Sequence, residues 1–349
     1  MINRLTKVIA LALSASFLLL PAAFGANTPN GPCNKAGKTS TIAGAKFICT
    51  KSGKKLIWKK ISIKPAATNQ SNDDAKLEAI FNGIAKKMDN VIPKFDISLN
   101  VDPVLVDSKW SRDSTSSIDS AIKLLSALGI ESTTQLKIYV SWGSEFKDRF
   151  VPDQCKVSSG GGYCGQGIHF ADLKWFATNW GYDGIEKPYK NEMDKLAMAA
   201  NIPHEIGHFA QGEAALSVGN SDFWMYNPPW LREGGAEYFK LISSAYHNKT
   251  TYKSLRDLVV ASGVSRCDKF PLSKITPADS KSDGCEYGKG LLAVEYLVLK
   301  VGSADALFTM NKTLGRDTES IFEKAYGFSL KDFEKEVDLY FARVVNSKK

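Results

Sequence analysis

Cysteine pairs of the Cys-x-x-Cys type are absent from the 349 residues, so a cysteine-ligated structural metal site has no support in this sequence. Long apolar runs are missing too. Beyond the first 25 residues nothing approaches the ~20 consecutive apolar residues that a spanning helix needs, so no later transmembrane helix is expected and the mature chain is predicted to be soluble. Acidic residues are absent between positions 26 and 64, where nine lysines stand: Lys35, Lys38, Lys46, Lys51, Lys54, Lys55, Lys59, Lys60 and Lys64. That stretch carries +9, more than the net +8 of the whole chain. Since Arg4 and Lys7 add a further +2, everything from residue 65 onward carries −3. The basic balance therefore belongs to one short module and does not predict a nucleic-acid partner. Histidine is scarce at four, so a motif that uses two of them at a fixed spacing carries information.

What is present begins with a graded leader. Arg4 and Lys7 precede an apolar run from Val8 to Leu20, followed by Pro21-Ala22-Ala23-Phe24-Gly25. Basic, apolar and small-residue regions in that order predict a secretory signal peptide over 1–25 and a secreted or cell-surface protein, expected as a monomer. The six cysteines fall as sequence neighbours, Cys33 with Cys49, Cys155 with Cys164 and Cys267 with Cys285. An even count in an exported chain predicts disulfides, and the three local pairs are favoured among fifteen formal connectivities. In the basic module, 26–64, short β-prone runs are separated by glycines, which predicts a small stapled β-hairpin-like unit. It resembles short Cys- and Lys-rich modules that open many secreted bacterial proteins, and its lysines suit contact with anionic wall polymers or a membrane surface. Residues 65–74 are small and polar and read as a linker.

The main domain is expected over 75–349, with 44% hydrophobic residues overall supporting one sizeable core. Leu77, Ile80, Phe81, Ile84 and Met88 have helical spacing, Asp96 to Val106 reads as extended, Ile118 to Leu128 as helix, and Gln135 to Trp142 alternates as a strand. From Glu192 onward helical patterns recur at Leu231–Tyr246, Tyr252–Ala261, Tyr287–Val301, Ile321–Ala325 and Leu330–Val345. The expected class is α+β, with a mixed α/β N-terminal lobe and a helical C-terminal lobe.

The chemistry concentrates in His204-Glu205-Ile206-Gly207-His208. Histidines at i and i+4 project from one helical face about a turn apart, as two ligands of a tetrahedral Zn2+ require, and Glu205 can reach a water there as general base. Pro203 predicts that this helix starts or kinks nearby. Two histidines do not complete a site. Glu213, Glu233, Glu237, His247 and His169 are each possible third ligands.

Pro229-Trp230-Leu231-Arg232-Glu233-Gly234-Gly235-Ala236-Glu237-Tyr238-Phe239 resembles the second zinc helix of the gluzincins, within the peptidase MA-like group related to thermolysin and the zinc aminopeptidases. That resemblance implies a thermolysin-like fold, Glu233 as third ligand and Glu237 as the carboxylate that orients a zinc histidine. The adjacent Gly234 and Gly235 weaken a helix unless close packing requires them. Glu286-Tyr287-Gly288-Lys289-Gly290 resembles the block whose tyrosine faces the oxyanion, which implies that role for Tyr287. Ser320 to Phe333 resembles the closing segment of the same group.

Departures narrow the expected activity. The metzincin motif would need glycine at 211 and histidine at 214, where Gln211 and Ala214 stand. The block that binds a free amino terminus in aminopeptidases is missing, so an endopeptidase acting on peptides or proteins is expected. The glycine-rich run containing Gly165, Gly167 and His169 stands where a substrate-binding edge strand is expected. Two other readings stay open on the residues alone: a cell-surface or wall-binding protein that keeps the fold, and a zinc hydrolase of a non-peptide amide or ester.

Overall fold

In the lysine-rich segment the glycine-separated runs form three antiparallel strands in the order β1 (Thr39–Ile42), β2 (Ala45–Ser52) and β3 (Lys55–Lys60). The computed structural model describes residues 31–36, 38–42, 45–53, 55–60, 70–93, 95–132, 135–155, 160–164, 167–171, 185–186, 189–275 and 284–347. The chain divides into two units, Met1–Ser62 and Ile63–Lys349. The first has a core of only Phe47, Cys49 and Trp58, with Cys33 and Leu56 against it. So small a core needs a staple, and the Cys33–Cys49 disulfide supplies one. Closing a loop of 16 residues contributes about 3 kcal/mol. Gly53, at φ +65°, turns the hairpin between β2 and β3. Lys35, Lys38, Lys51, Lys55 and Lys59 are exposed.

The second unit opens with α1 (Gln70–Asn90), which buries Leu77, Phe81, Ile84 and Met88 along one face. It begins at Gln70, so residues 70–74 of the expected linker are its first turn. The reason lies far away in sequence. Asp73 pairs with Arg343 at 3.4 Å and Asp74 with Arg256 at 2.8 Å, and acidic residues also suit a helix N-terminus.

A four-stranded sheet follows from β4 (Ile97–Val101), β5 (Leu136–Val140), β6 (Gly160–Cys164) and β7 (Gly167–Ala171), in the order β4-β5-β7-β6. β4, β5 and β7 run parallel and β6 returns antiparallel beside β7. Asp102 ties β4 to β5, because Oδ2 accepts from the Trp142 N–H at 3.1 Å and Oδ1 from that of Val104 at 3.2 Å. Between these strands lie α2 (Lys109–Ser116), α3 (Ile118–Ala127) and α4 (Ser144–Phe150). α2 has no readable apolar period since Trp110 is its one large buried residue, and Ser108 caps it by accepting from the Ser111 N–H.

From α5 (Glu192–Ala199) onward the unit is helical, with α6 (Asn201–Leu216), α7 (Pro229–His247), α8 (Tyr252–Ala261), α9 (Cys285–Val301), α10 (Thr318–Tyr326) and α11 (Leu330–Asn346). Among the described residues the fold is thus mixed and helix-dominated with two small sheets, as the α+β expectation requires in outline. Among the described residues no helix is long and apolar enough to cross a membrane. The leader expected over 1–25 lies outside the described residues.

α7 is central, packed against α6, α9, α3 and α8. Its contact with α9 is backbone on backbone: a Cβ at Gly234 would sit 2.2 Å from the carbonyl carbon of Gly290, and one at Gly290 2.8 Å from the Trp230 oxygen. α6 approaches similarly, with Gly207 against the Cα of Ala236. The Cys267–Cys285 bridge anchors the first residue of α9, whereas the side chains of Cys155 and Cys164 lie outside the described residues. Farther along, fully buried Glu295 accepts from Arg256 at 3.0 Å, from the Tyr252 hydroxyl at 2.7 Å and from the Tyr340 hydroxyl, joining α8, α9 and α11. Such a group stabilises only when every member is paired.

The glycines make a direct test. Gly234→Ala is expected to force α7 and α9 apart and cost about 1–3 kcal/mol. Exposed Gly83 in α1 meets nothing within 4 Å, and Gly83→Ala should stabilise by about 0.5–1 kcal/mol. Urea unfolding of the two variants measures both, and equal signs would refute the packing argument.

Candidate metal centre

α6 carries the histidine motif and starts at Asn201, which puts Pro203 in its first turn, where its missing N–H costs nothing. The helix is buried through nearly its whole first three turns, and a helix so enclosed presents its polar side chains to other protein groups. His204, Glu205 and His208 are all under a tenth exposed. The two imidazole rings stand 4.8 Å apart, centroid to centroid, close to perpendicular.

α7 brings the third group. Glu233 Oε2 lies 3.1 Å from His208 Nε2 and 3.6 Å from His204 Nε2. Among the described residues, His204, His208 and Glu233 are the group able to hold a metal ion, with ligand atoms all within 4.8 Å of one another. A tetrahedral ion with bonds of about 2.0–2.1 Å separates its ligand atoms by about 3.4 Å, so this donor set fits one with little movement. Of the other third-ligand alternatives, His247 closes the far end of α7 beside the Ser116 hydroxyl.

The outer nitrogens are occupied differently. Glu237, one turn after Glu233, puts Oε1 2.9 Å from His204 Nδ1, and Lys240 holds both its oxygens at 3.0 and 3.2 Å. His208 Nδ1 faces Gln211 Oε1 at 3.1 Å, and Gln211 Nε2 donates to the Arg232 carbonyl at 2.9 Å. Gln211 was not foreseen as a site residue. The available signal was its position three residues after His208 on the same helical face. Arg232, equally unforeseen, donates from Nε to Glu233 Oε1 at 3.0 Å and lies 6.0 Å over the Trp224 ring, itself 6.1 Å from the His208 ring.

Electrostatics follow from burial and proximity. Burial pulls the His204 imidazole down, but Glu233 and Glu237 outweigh it and raise it to about 10. Burial pushes Glu233 up, and the two imidazoles overcome this and hold it far below the carboxylate range. Glu237 is likewise pushed up by burial, yet Lys240 and His204 bring it down to about 2. Glu205 shifts the other way: burial raises its carboxyl, and the pull of the imidazoles is offset by the neighbouring carboxylates. A carboxyl raised towards neutrality is suited to taking and returning a proton.

Tyr287 enters from the first turn of α9, its ring 5.8 Å from that of His204. Desolvation and the carboxylates of Glu233, Glu286, Glu205 and Glu237 keep its phenol protonated, hence a hydrogen-bond donor. The glycine-rich run is arranged otherwise than expected. Gly167 and His169 lie in β7, whose backbone is paired with β5 on one side and β6 on the other, so it has no open edge for an added strand. β6 is the outer strand, and both pack on α6. Gly165 lies outside the described residues, as does the His169 side chain.

No protein-family model, curated protein or solved structure matches this chain. The reading of the centre rests on its own residues.

A carboxyl held down in the folded state contributes stability above its ordinary range and loses it as pH falls towards the folded value. For Glu237 that window runs from about 4.5 to about 2. Over it the metal-free protein should lose melting temperature, and Glu237→Gln should flatten the decline. Parallel profiles for the two proteins would show that the Glu237 pairing is not formed.

Proposed function

We propose that this chain is a secreted zinc peptidase of gluzincin type, thermolysin-like in its metal-bearing lobe, that cleaves within peptides or unfolded proteins. The observation that carries the reading is the convergence of His204, His208 and Glu233 from two helices, with Glu205 buried beside them. Disulfides at Cys33–Cys49 and Cys267–Cys285 support an oxidising, extracellular setting.

His204, His208 and Glu233 would hold the zinc ion, which would supply Lewis acidity at this position. Glu205 then takes the proton of the attacking water and passes it to the leaving amine, the task its raised pKa suits. Tyr287 donates a hydrogen bond to the oxyanion as it forms. Glu237 and Gln211 hold the imidazoles from behind, which keeps the ligand geometry ready.

Purified protein should contain one zinc per chain and cleave an unfolded casein-like substrate. Glu205→Gln should keep the zinc and lose about 10²–10⁴-fold in kcat/KM. Tyr287→Phe should lose about 10²–10³-fold, mostly in kcat. Undiminished hydrolysis by the Glu205 variant would reject the mechanism.

The basic module gives the enzyme a second contact in this reading, an electrostatic hold on anionic wall polymer or membrane surface. Replacing Lys35, Lys38, Lys51, Lys55 and Lys59 by glutamine, which takes the module from +9 to +4, should weaken retention on phosphatidylglycerol vesicles and on immobilised polyphosphate at low salt. Peptidase activity on soluble substrate should not change. Equal retention of the variant would leave the lysines with no role beyond solubility.

A further inference from the structure

Gln211 belongs to neither sequence motif, yet it is 2% exposed and uses both ends of its amide at the metal centre. The orientation of that amide follows from its partners. The Arg232 carbonyl can only accept, so the amide nitrogen must face it and Oε1 must face His208. An oxygen at 3.1 Å from His208 Nδ1 requires a proton there. Nε2 faces an acceptor as well, Glu233 Oε2 at 3.1 Å, so with Nδ1 committed to Gln211 it is Nε2 that gives up its proton when a metal ion binds.

Gly235 completes the arrangement. A Cβ at that position would sit 2.8 Å from Gln211 Nε2, with no other neighbour within 4 Å. The residue has no positive φ that would call for glycine. A Cβ there would have to displace this buried amide from its two hydrogen bonds, whereas one at Gly234 would strike the Gly290 backbone. Two adjacent glycines answer to two different neighbours.

We infer that Gln211 is a positioning residue of the metal centre: it sets the tautomer of His208 and joins the two ligand-bearing helices, with Gly235 as its socket. The inference rests on the metal-centre reading above. The two histidines then have unlike supports, a carboxylate for His204 and a neutral amide for His208. Glu205, Glu233 and Glu237 already crowd three carboxyl groups into this buried region, and an amide orients the second imidazole without adding a fourth.

The test measures zinc affinity of the full chain by chelator competition, with the melting temperature of the metal-free protein alongside. Gln211→Met keeps the volume and removes the amide, and should weaken zinc binding about 10–100-fold in a protein that still folds cooperatively. Gly235→Ala should weaken it comparably by displacing the amide. Adding Gly235→Ala to Gln211→Ala should cost nothing more, since the amide it would strike is gone. Proton-nitrogen spectra of the zinc-loaded protein should show the His208 Nδ1 proton hydrogen-bonded in the wild type and moved upfield in Gln211→Met, a change that a glutamine without contact to the imidazole would not produce. Unchanged zinc affinity in Gln211→Met, or additive losses in the double variant, would overturn the inference while leaving the metal centre intact. If Gln211→Met does not fold, Gln211→Ala decides: its zinc affinity should fall and match that of the double variant, and an unchanged affinity or a further loss in the double variant overturns the inference. A wild type that binds no zinc overturns the metal-centre reading and this inference together.

Discussion

The approach of α6 and α9 to α7 is the constraint on which the rest of this protein depends, because each helix carries part of one centre. α6 brings His204, Glu205 and His208, α7 brings Glu233 and Glu237, and α9 brings Tyr287. Backbones come this close only where side chains are absent, and Gly207, Gly234 and Gly290 stand at the contacts. Glycine in a helix costs roughly 1 kcal/mol against alanine. That cost is local, whereas the gain is a set of polar groups held by three packed helices.

Packing so many polar groups away from water creates a second problem, which the pairing scheme resolves. Buried charges are unfavourable unless each has a partner. At the centre, His204 stands between Glu233 and Glu237, His208 between Glu233 and the Gln211 amide, Lys240 faces Glu237, and Arg232 faces the outer oxygen of Glu233. The Glu295 cluster follows the same rule away from the centre, with Arg256 and two tyrosine hydroxyls around one carboxylate. Lys289, also buried, reaches Asp338 at 2.7 Å and the Phe270 carbonyl at 2.6 Å. Electroneutrality in the interior is thus kept locally, while the uncompensated lysines sit exposed in the small stapled unit.

Much of this was legible in advance where a residue's role depends on its near neighbours in sequence. Apolar periods found α3 and the helices from Pro229 onward within a few residues, and Tyr252–Ala261 on its bounds, because one face of each is buried. α2 and α4 escaped, since they bury too few large apolar residues to leave a period. The first turn of α1 escaped as well: its stabilising partners, Arg256 and Arg343, are some 180 and 270 residues away. Gly167 and His169 were assigned to an edge strand, but a glycine-rich run says little about which of two strands lies outermost.

The sequence by itself determined that His204 and His208 share one face of α6, since residues four apart on a helix must share a side, and it favoured the local Cys33–Cys49 and Cys267–Cys285 pairs that the structure contains. Tertiary structure alone decided which of several carboxylates meets those histidines, because Glu233 and Glu237 share a helical face and only the docking of α7 on α6 sends one to Nε2 and the other to Nδ1. It also decided the part played by Gln211 and the reason for Gly235, two residues whose meaning exists only in the space between helices.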